Sequence, residues 1–121
     1  MEIIRYFDPR CWIMENPRSG RLKDQTVVAQ LAFDDVDYCN YGFPYRKRTR
    51  LWNNLDCWTP RTLCRRDCGS MTADKNMHKE TAQRGDRRAG GARLYNSHSL
   101  ETLYRVPHEL ITEILLSIAQ S

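Results

Sequence analysis

Near its start the chain sets Ile3, Ile4 and Phe7 at helical spacing and then meets Asp8-Pro9, which predicts a helix over residues 1–8. Cys11-Trp12-Ile13-Met14 is an apolar run of strand length and predicts a buried strand stopping at Glu15-Asn16-Pro17. Polar residues at that position matter, because open α/β sheets place functional groups at the ends of parallel strands. A polar loop covers residues 17–25. Val27 to Phe33 and Val36 to Tyr41 are the next ordered segments, the second alternating and ending at Gly42. Gly42-Phe43-Pro44 predicts a turn, and Arg48-Thr49-Arg50-Leu51-Trp52 a second alternating strand, so the two make a hairpin-like pair. Periodicity lapses from Asn53 to about Ser99, where residues 85–91 read as a flexible linker. Order returns at Pro107, which can open a helix with Glu109 in its first turn. Leu110, Ile111, Ile114, Leu115 and Ile118 then form one apolar face. That stripe needs a partner surface, and so short a chain offers few.

With 121 residues there is room for one small domain or a piece of a larger one. A mean hydropathy of −0.70 limits the core, while 28% charged and 10% aromatic residues argue against wholesale disorder. No apolar run approaches the roughly 20 residues of a transmembrane helix. Met1 to Asp8 does not read as a signal peptide, so the expectation is a soluble, intracellular chain. Charge changes the picture more. Residues 1–42 and 94–121 each carry net −2, whereas residues 43–93 carry thirteen basic and five acidic side chains, net +8. Arginine dominates there, and its planar fork suits phosphate and guanine edges, so the partner expected is a nucleic acid. A solvated basic surface is the plainer reading.

Three constellations can carry chemistry. Glu15, at the end of a hydrophobic strand, would be partly desolvated and able to share a proton with a base; a plain turn is the alternative. Arg46, Arg48 and Arg50 alternate along one strand and share a face, an arrangement that is costly unless anions or buried carboxylates meet it. It suits phosphates, or a ligand held against Glu15. The odd count of five cysteines, without a secretion signal, disfavours a disulfide framework. Cys57-x6-Cys64-x3-Cys68-x9-His78 can close a tetrahedral zinc site, although the spacing lacks a CxxC pair and scattered thiols would look the same. With zinc, Arg61, Arg65, Arg66, Arg84, Arg87 and Arg88 would serve as phosphate contacts. His98 and His108 suit surface or packing roles.

In order and spacing, the first two constellations resemble the C-terminal half of the catalytic domain of DNA (cytosine-5) methyltransferases. The family's strand ending in Glu-Asn-Val is matched by Glu15-Asn16-Pro17. Its Tyr-Gly-Val-Pro-Gln segment, running into Gln-x-Arg-x-Arg, is matched by Tyr41-Gly42-Phe43-Pro44 and Arg46-Lys47-Arg48-Thr49-Arg50. The closing Tyr104-Arg105-Val106-Pro107 looks like the last motif, where Val-Pro opens the final helix beside the cofactor. The resemblance covers residues 1–55 and 100–121. It departs at Pro17, at Tyr45 or Arg46 for the glutamine, and in lacking the asparagine before Val106-Pro107. No cysteine here follows a proline, and no Gly-rich loop follows a first strand.

The resemblance implies an α/β chain, a partial S-adenosylmethionine-dependent methyltransferase (Rossmann-like) fold with a basic, loop-rich insert. Residues 1–55 would be the C-terminal half of the core, 56–99 the insert with target recognition and a possible zinc site, and 100–121 the terminal core helix. Glu15 would hold the protonated N3 of a flipped cytosine, Asn16 would orient Glu15, and Arg48 and Arg50 would position the glutamate, nucleophile loop or phosphates. Val106 and Pro107 would border S-adenosylmethionine, held mainly by a separate N-terminal half, and Arg46, Lys47, Arg61, Arg65 and Arg66 would contact DNA. Alone, such a chain is expected to be inactive. The rival class is a non-enzymatic, basic, zinc-stapled nucleic-acid-binding module; a third is an interaction protein that docks through its terminal helix.

Overall fold

A computed structural model describes residues 1–82 and 100–121. Its helices are α1 (Glu2–Phe7), α2 (Leu100–Leu103) and α3 (His108–Ala119), and its strands are β1 (Ile13–Pro17), β2 (Phe33–Asp37), β3 (Tyr45–Arg46), β4 (Arg48–Asn53) and β5 (Glu80–Thr81). The residues predicted as a linker, with Arg84, Arg87, Arg88 and His98, lie outside the described residues.

β4 is the centre of a three-stranded sheet of order β1-β4-β2, antiparallel on both sides. Its alternation explains that position. Thr49 and Leu51 are buried, and Leu51 joins the core with Val36, Tyr38, Tyr41, Trp58, Leu110 and Ile114. Arg48 and Arg50, one residue out of phase, turn to the other face. α3 packs Leu110 and Ile114 into that core, each worth about 1.5–3 kcal/mol of transfer free energy when buried. The core is therefore the partner surface for three of the five stripe residues, Leu110, Ile114 and Ile118, while Ile111 and Leu115 remain exposed.

Gly42 closes the 3₁₀ turn Tyr38–Tyr41 with φ of 96°, in the left-handed region. A Cβ there would also lie 3.0 Å from Glu109 Oε1, so conformation and space both call for glycine.

Several boundaries differ from the expected ones. The apolar run Cys11–Met14 is not the strand: β1 begins at Ile13, which is 40% exposed, and carries Glu15, Asn16 and Pro17 inside it. Cross-strand pairing with β4, Glu15 opposite Leu51 and Asn16 opposite Arg50, extends the strand past the hydrophobic run. The second segment starts as strand at Phe33 and ends at Asp37, because residues 38–41 coil into the 3₁₀ turn. Arg46 leaves the arginine row. It lies in β3, which pairs in parallel with β5, Arg46 opposite Thr81. The sheet is antiparallel rather than parallel, so Glu15 does not sit at the end of a parallel strand. Among the described residues, no helix is long and apolar enough to cross a membrane.

Candidate functional site

A cleft of about 850 Å³ opens beside β1 and β4. Glu15 and Asn16 on β1 and the following Pro17–Ser19 form one wall, and Arg46, Lys47 and Arg48 form the floor. Leu103 at the end of α2 and the following Tyr104 close one side, and His78, Glu80, Thr81 and Ala82 of the insert close the other. The structure thus brings Glu15, Asn16, Arg46, Lys47 and Arg48 together from segments thirty residues apart in sequence. It leaves Arg50 out of the lining.

Glu15 is exposed rather than desolvated, and the Tyr38 hydroxyl donates to its Oε2 in a long 3.5 Å contact. Burial raises the Tyr38 phenol well above its ordinary value, so it stays a donor toward that carboxylate. Lys47 donates its ammonium to the Leu103 carbonyl and lies over the Tyr38 ring at 5.6 Å. Burial lowers the Lys47 pKa, with the Glu15 charge opposing. Asn16 faces away from Glu15 and toward Gly20, where a Cβ would come within 2.5 Å of Oδ1.

Two carboxylates meet the two arginines of β4. Asp37, 1% exposed, accepts both Nε and Nη2 of Arg48 at 2.9 Å; Asp35 accepts Nε and Nη2 of Arg50 at 2.8 and 3.0 Å. Both pairs are direct cross-strand partners in the β2–β4 register, which sets each fork against a carboxylate. Arg50 also stacks on Phe33, its Cζ 3.8 Å from the ring centroid. Asp35 and Asp37 are functional neighbours that the sequence reading passed over. Their i, i+2 spacing in a segment able to pair with Arg48-x-Arg50 was the available signal.

A second cluster lies behind Asp37. The ligand atoms of Cys39, Cys64, Cys68 and His78 all fall within 4.8 Å of one another, and Cys39, Cys64 and His78 are buried. This corrects the predicted set of Cys57, Cys64, Cys68 and His78: Cys57 is outside the group and Cys39 takes its place. Cys39 reaches it because the 3₁₀ turn after β2 points it at the loop 64–68. For the Cys64 thiol, burial acts to raise the pKa, but hydrogen bonds from the Arg66 and Cys68 amides and the neighbouring thiols outweigh it and lower it. The Cys39 thiol is pushed up, first by burial and then by Cys64.

The remaining predicted residues have other partners. Arg61 binds Glu109 at 3.0 Å and Glu113 at 3.2 Å, donates to the Asn40 carbonyl and covers the Tyr41 ring, so it ties the insert to α3. Arg65 and Arg66 are exposed. Pro107 is fully buried at the start of α3, and Val106 borders an apolar cleft of about 340 Å³ between β1 and α3.

A mixed helix-and-strand chain whose basic cleft joins Glu15-Asn16 to Arg46-Lys47-Arg48 carries, in one place, the segments on which the methyltransferase resemblance rests. The resemblance extends to nearly the whole chain: it is 34% identical over 120 residues to a protein of Frog virus 3 (isolate Goorha) described as "Probable DNA (cytosine-5)-methyltransferase". That match covers 95% of this chain and 53% of the viral protein, so the chain spans about half the length of its relative and is similar to part of such an enzyme. No family model matches the chain. No solved structure matches it either.

Proposed function

We propose that this chain is the base-handling, C-terminal portion of a DNA cytosine-5 methyltransferase, whose reaction moves a methyl group from S-adenosylmethionine to C5 of a cytosine flipped from the duplex. The observation that supports it most is the meeting of Glu15 and Arg48 in one cleft that also holds Arg46 and Lys47. Glu15, accessible and contacted by the Tyr38 hydroxyl, holds a proton at N3 of the flipped ring. Drawing electron density from the ring there opens C6 to a thiolate and makes C5 nucleophilic. Arg48, fixed by Asp37, adds positive charge to the floor without being free to swing, and Arg46 and Lys47 face the phosphates. Asn16 acts one step back, shaping the rim because its Oδ1 fills the space that a Cβ at Gly20 would need.

On this reading the described residues supply one edge of a methyl-donor site, at Val106 and Pro107, and not the whole of it. Pro107 is buried, and the cleft beside Val106 is lined mainly by apolar side chains, with Glu15 as its one carboxylate to meet a ribose hydroxyl or a positive charge. The donor and the thiolate therefore belong to a portion of the enzyme carrying a Gly-rich loop and a Pro-Cys pair, neither of which these 121 residues contain.

The test uses the purified chain with duplex DNA and labelled S-adenosylmethionine. Alone, it neither binds the donor tightly nor transfers methyl; supplied with a portion bearing the Gly-rich loop and Pro-Cys, it does, and Glu15→Gln abolishes that activity. Transfer by the chain alone would sink the reading. Failure of every such complementation would favour the second reading, a non-enzymatic nucleic-acid-binding module, which draws on the exposed Arg65 and Arg66 of the cysteine loop. For that module, salt-dependent DNA binding by the chain alone is the signature.

A further inference from the structure

We infer that Cys39, Cys64, Cys68 and His78 hold one zinc ion, and that this ion fastens the basic insert to the strand that positions Arg48. The donor set is three thiols and one imidazole, which suits a closed tetrahedral site for a thiophilic ion and leaves no position open for water chemistry. A tetrahedron with metal–sulfur bonds of about 2.3 Å and metal–nitrogen bonds of about 2.0 Å has edges of about 3.5–3.8 Å. Cys64 Sγ and His78 Nε2 are 3.6 Å apart, and all four donor atoms lie within 4.8 Å of one another, so small side-chain rotations complete the figure.

The backbone holds the donors in place. Cys64 presents its amide to Asp37 Oδ2 at 2.8 Å. Arg66, with φ of 64°, turns the chain between Cys64 and Cys68. The Asn40 amide donates to the Thr62 carbonyl at 2.8 Å, fixing the insert beside Cys39. His78 comes from a small hairpin closed by Lys79 N to Ser70 O at 2.8 Å and Thr72 N to Met77 O at 2.9 Å, with Met71 bridging His78. Three segments, the turn at Cys39, the loop 64–68 and the hairpin of His78, thus converge on one point. An insert with so little regular secondary structure gains a fixed form from such a cross-link. Binding displaces the protons still on the three thiols, so the charge of the complex is that of one zinc and three thiolates, and uptake is favoured by rising pH.

Because Asp37 accepts both the Cys64 amide and the Arg48 guanidinium, the ion's loop and the cleft floor share one carboxylate. His78 adds a second link, since it both belongs to the cluster and lines the cleft.

The test measures metal in the full chain purified under reducing conditions without chelator. One zinc per chain is expected by mass spectrometry, and cobalt(II) in its place should give the intense ligand-field bands of a tetrahedral thiolate-rich site. Cys39→Ser and Cys68→Ser should each lower zinc affinity at least tenfold, while Cys57→Ser should leave it unchanged. If a serine variant does not fold, the cobalt spectrum of the unsubstituted chain still decides. Absence of stoichiometric zinc together with no cobalt bands would overturn the inference, as would loss of zinc in Cys57→Ser with retention in Cys39→Ser. None of these readouts depends on methyl transfer, so their failure and that of the proposed activity are separable.

Discussion

The carboxylate of Asp37 is 1% exposed and receives the Arg48 guanidinium through two 2.9 Å hydrogen bonds, on adjacent strands and in direct register. One of its oxygens also accepts the Cys64 amide at 2.8 Å. Asp37→Asn would turn an amide N–H toward donors and leave Arg48 with a single acceptor. The expected loss is about 2–3 kcal/mol, below the ~3–5 kcal/mol for a fully buried pair because the Arg48 side chain is 31% exposed. Urea denaturation reads it, and a double-mutant cycle with Arg48→Ala should give clear coupling. Additive losses would show that the pair is incidental.

Gly42→Ala forces a Cβ onto a backbone at φ 96° and brings it to 3.0 Å from Glu109 Oε1. A destabilisation of roughly 1–2 kcal/mol is expected at unchanged m-value. Combining it with Glu109→Ala should relieve only the part owed to the contact. Full rescue would mean that the left-handed conformation carries no strain.

The Tyr41 phenol is raised from near 10 to about 12, chiefly by burial, against the Arg61 amide that donates to its oxygen. The unfolded chain therefore ionises this group first. Its contribution to stability is complete below pH 10 and is lost as pH climbs toward 12. Burial raises Tyr38 and Tyr45 in the same direction. Urea midpoints measured from pH 8 to 11 should fall, and Tyr41→Phe should make the fall shallower. A flat profile in the unsubstituted chain would contradict the burial of these rings.

Glu15→Gln separates function from fold. Glu15 is exposed, and its contact with Tyr38 is long, so stability should change by less than about 0.5 kcal/mol. Methylation in the complemented enzyme should nevertheless disappear, and radiolabel transfer measures it. Full activity in the variant would remove Glu15 from the mechanism.

Elements whose pattern is fixed by their own residues could be read without the structure. The spacing of Leu110, Ile114 and Ile118 is that of a helix wherever it packs, and Thr49 and Leu51 must alternate with Arg48 and Arg50 in any extended β4. What could not be read depends on pairing across the chain. Cys39 stands 25 residues before Cys64, on a strand-to-turn junction whose direction is set by β2 lying against β4, so spacing within 57–78 pointed to the wrong fourth ligand. The arginine row invited an outside anion because its carboxylates, Asp35 and Asp37, lie in a different segment and become neighbours only through register. β1 ran beyond its apolar residues for the same reason: the partner strand, not the side chains, decides where pairing stops.

Asp35 and Asp37, two of the three acidic residues of β2, also bear on how a polyanion would meet this protein. Arg48, Arg50 and Arg61 each have carboxylate partners, whereas Arg46, Arg65 and Arg66 enter no ion pair among the described residues. Each phosphate neutralised on duplex DNA releases condensed counterions and steepens the decline of log affinity with log salt by about 0.9. On the proposed function, Arg48, Arg50 and Arg61, already matched by carboxylates, would add less to that slope than the cations without such partners, so a count of basic residues overstates the salt dependence.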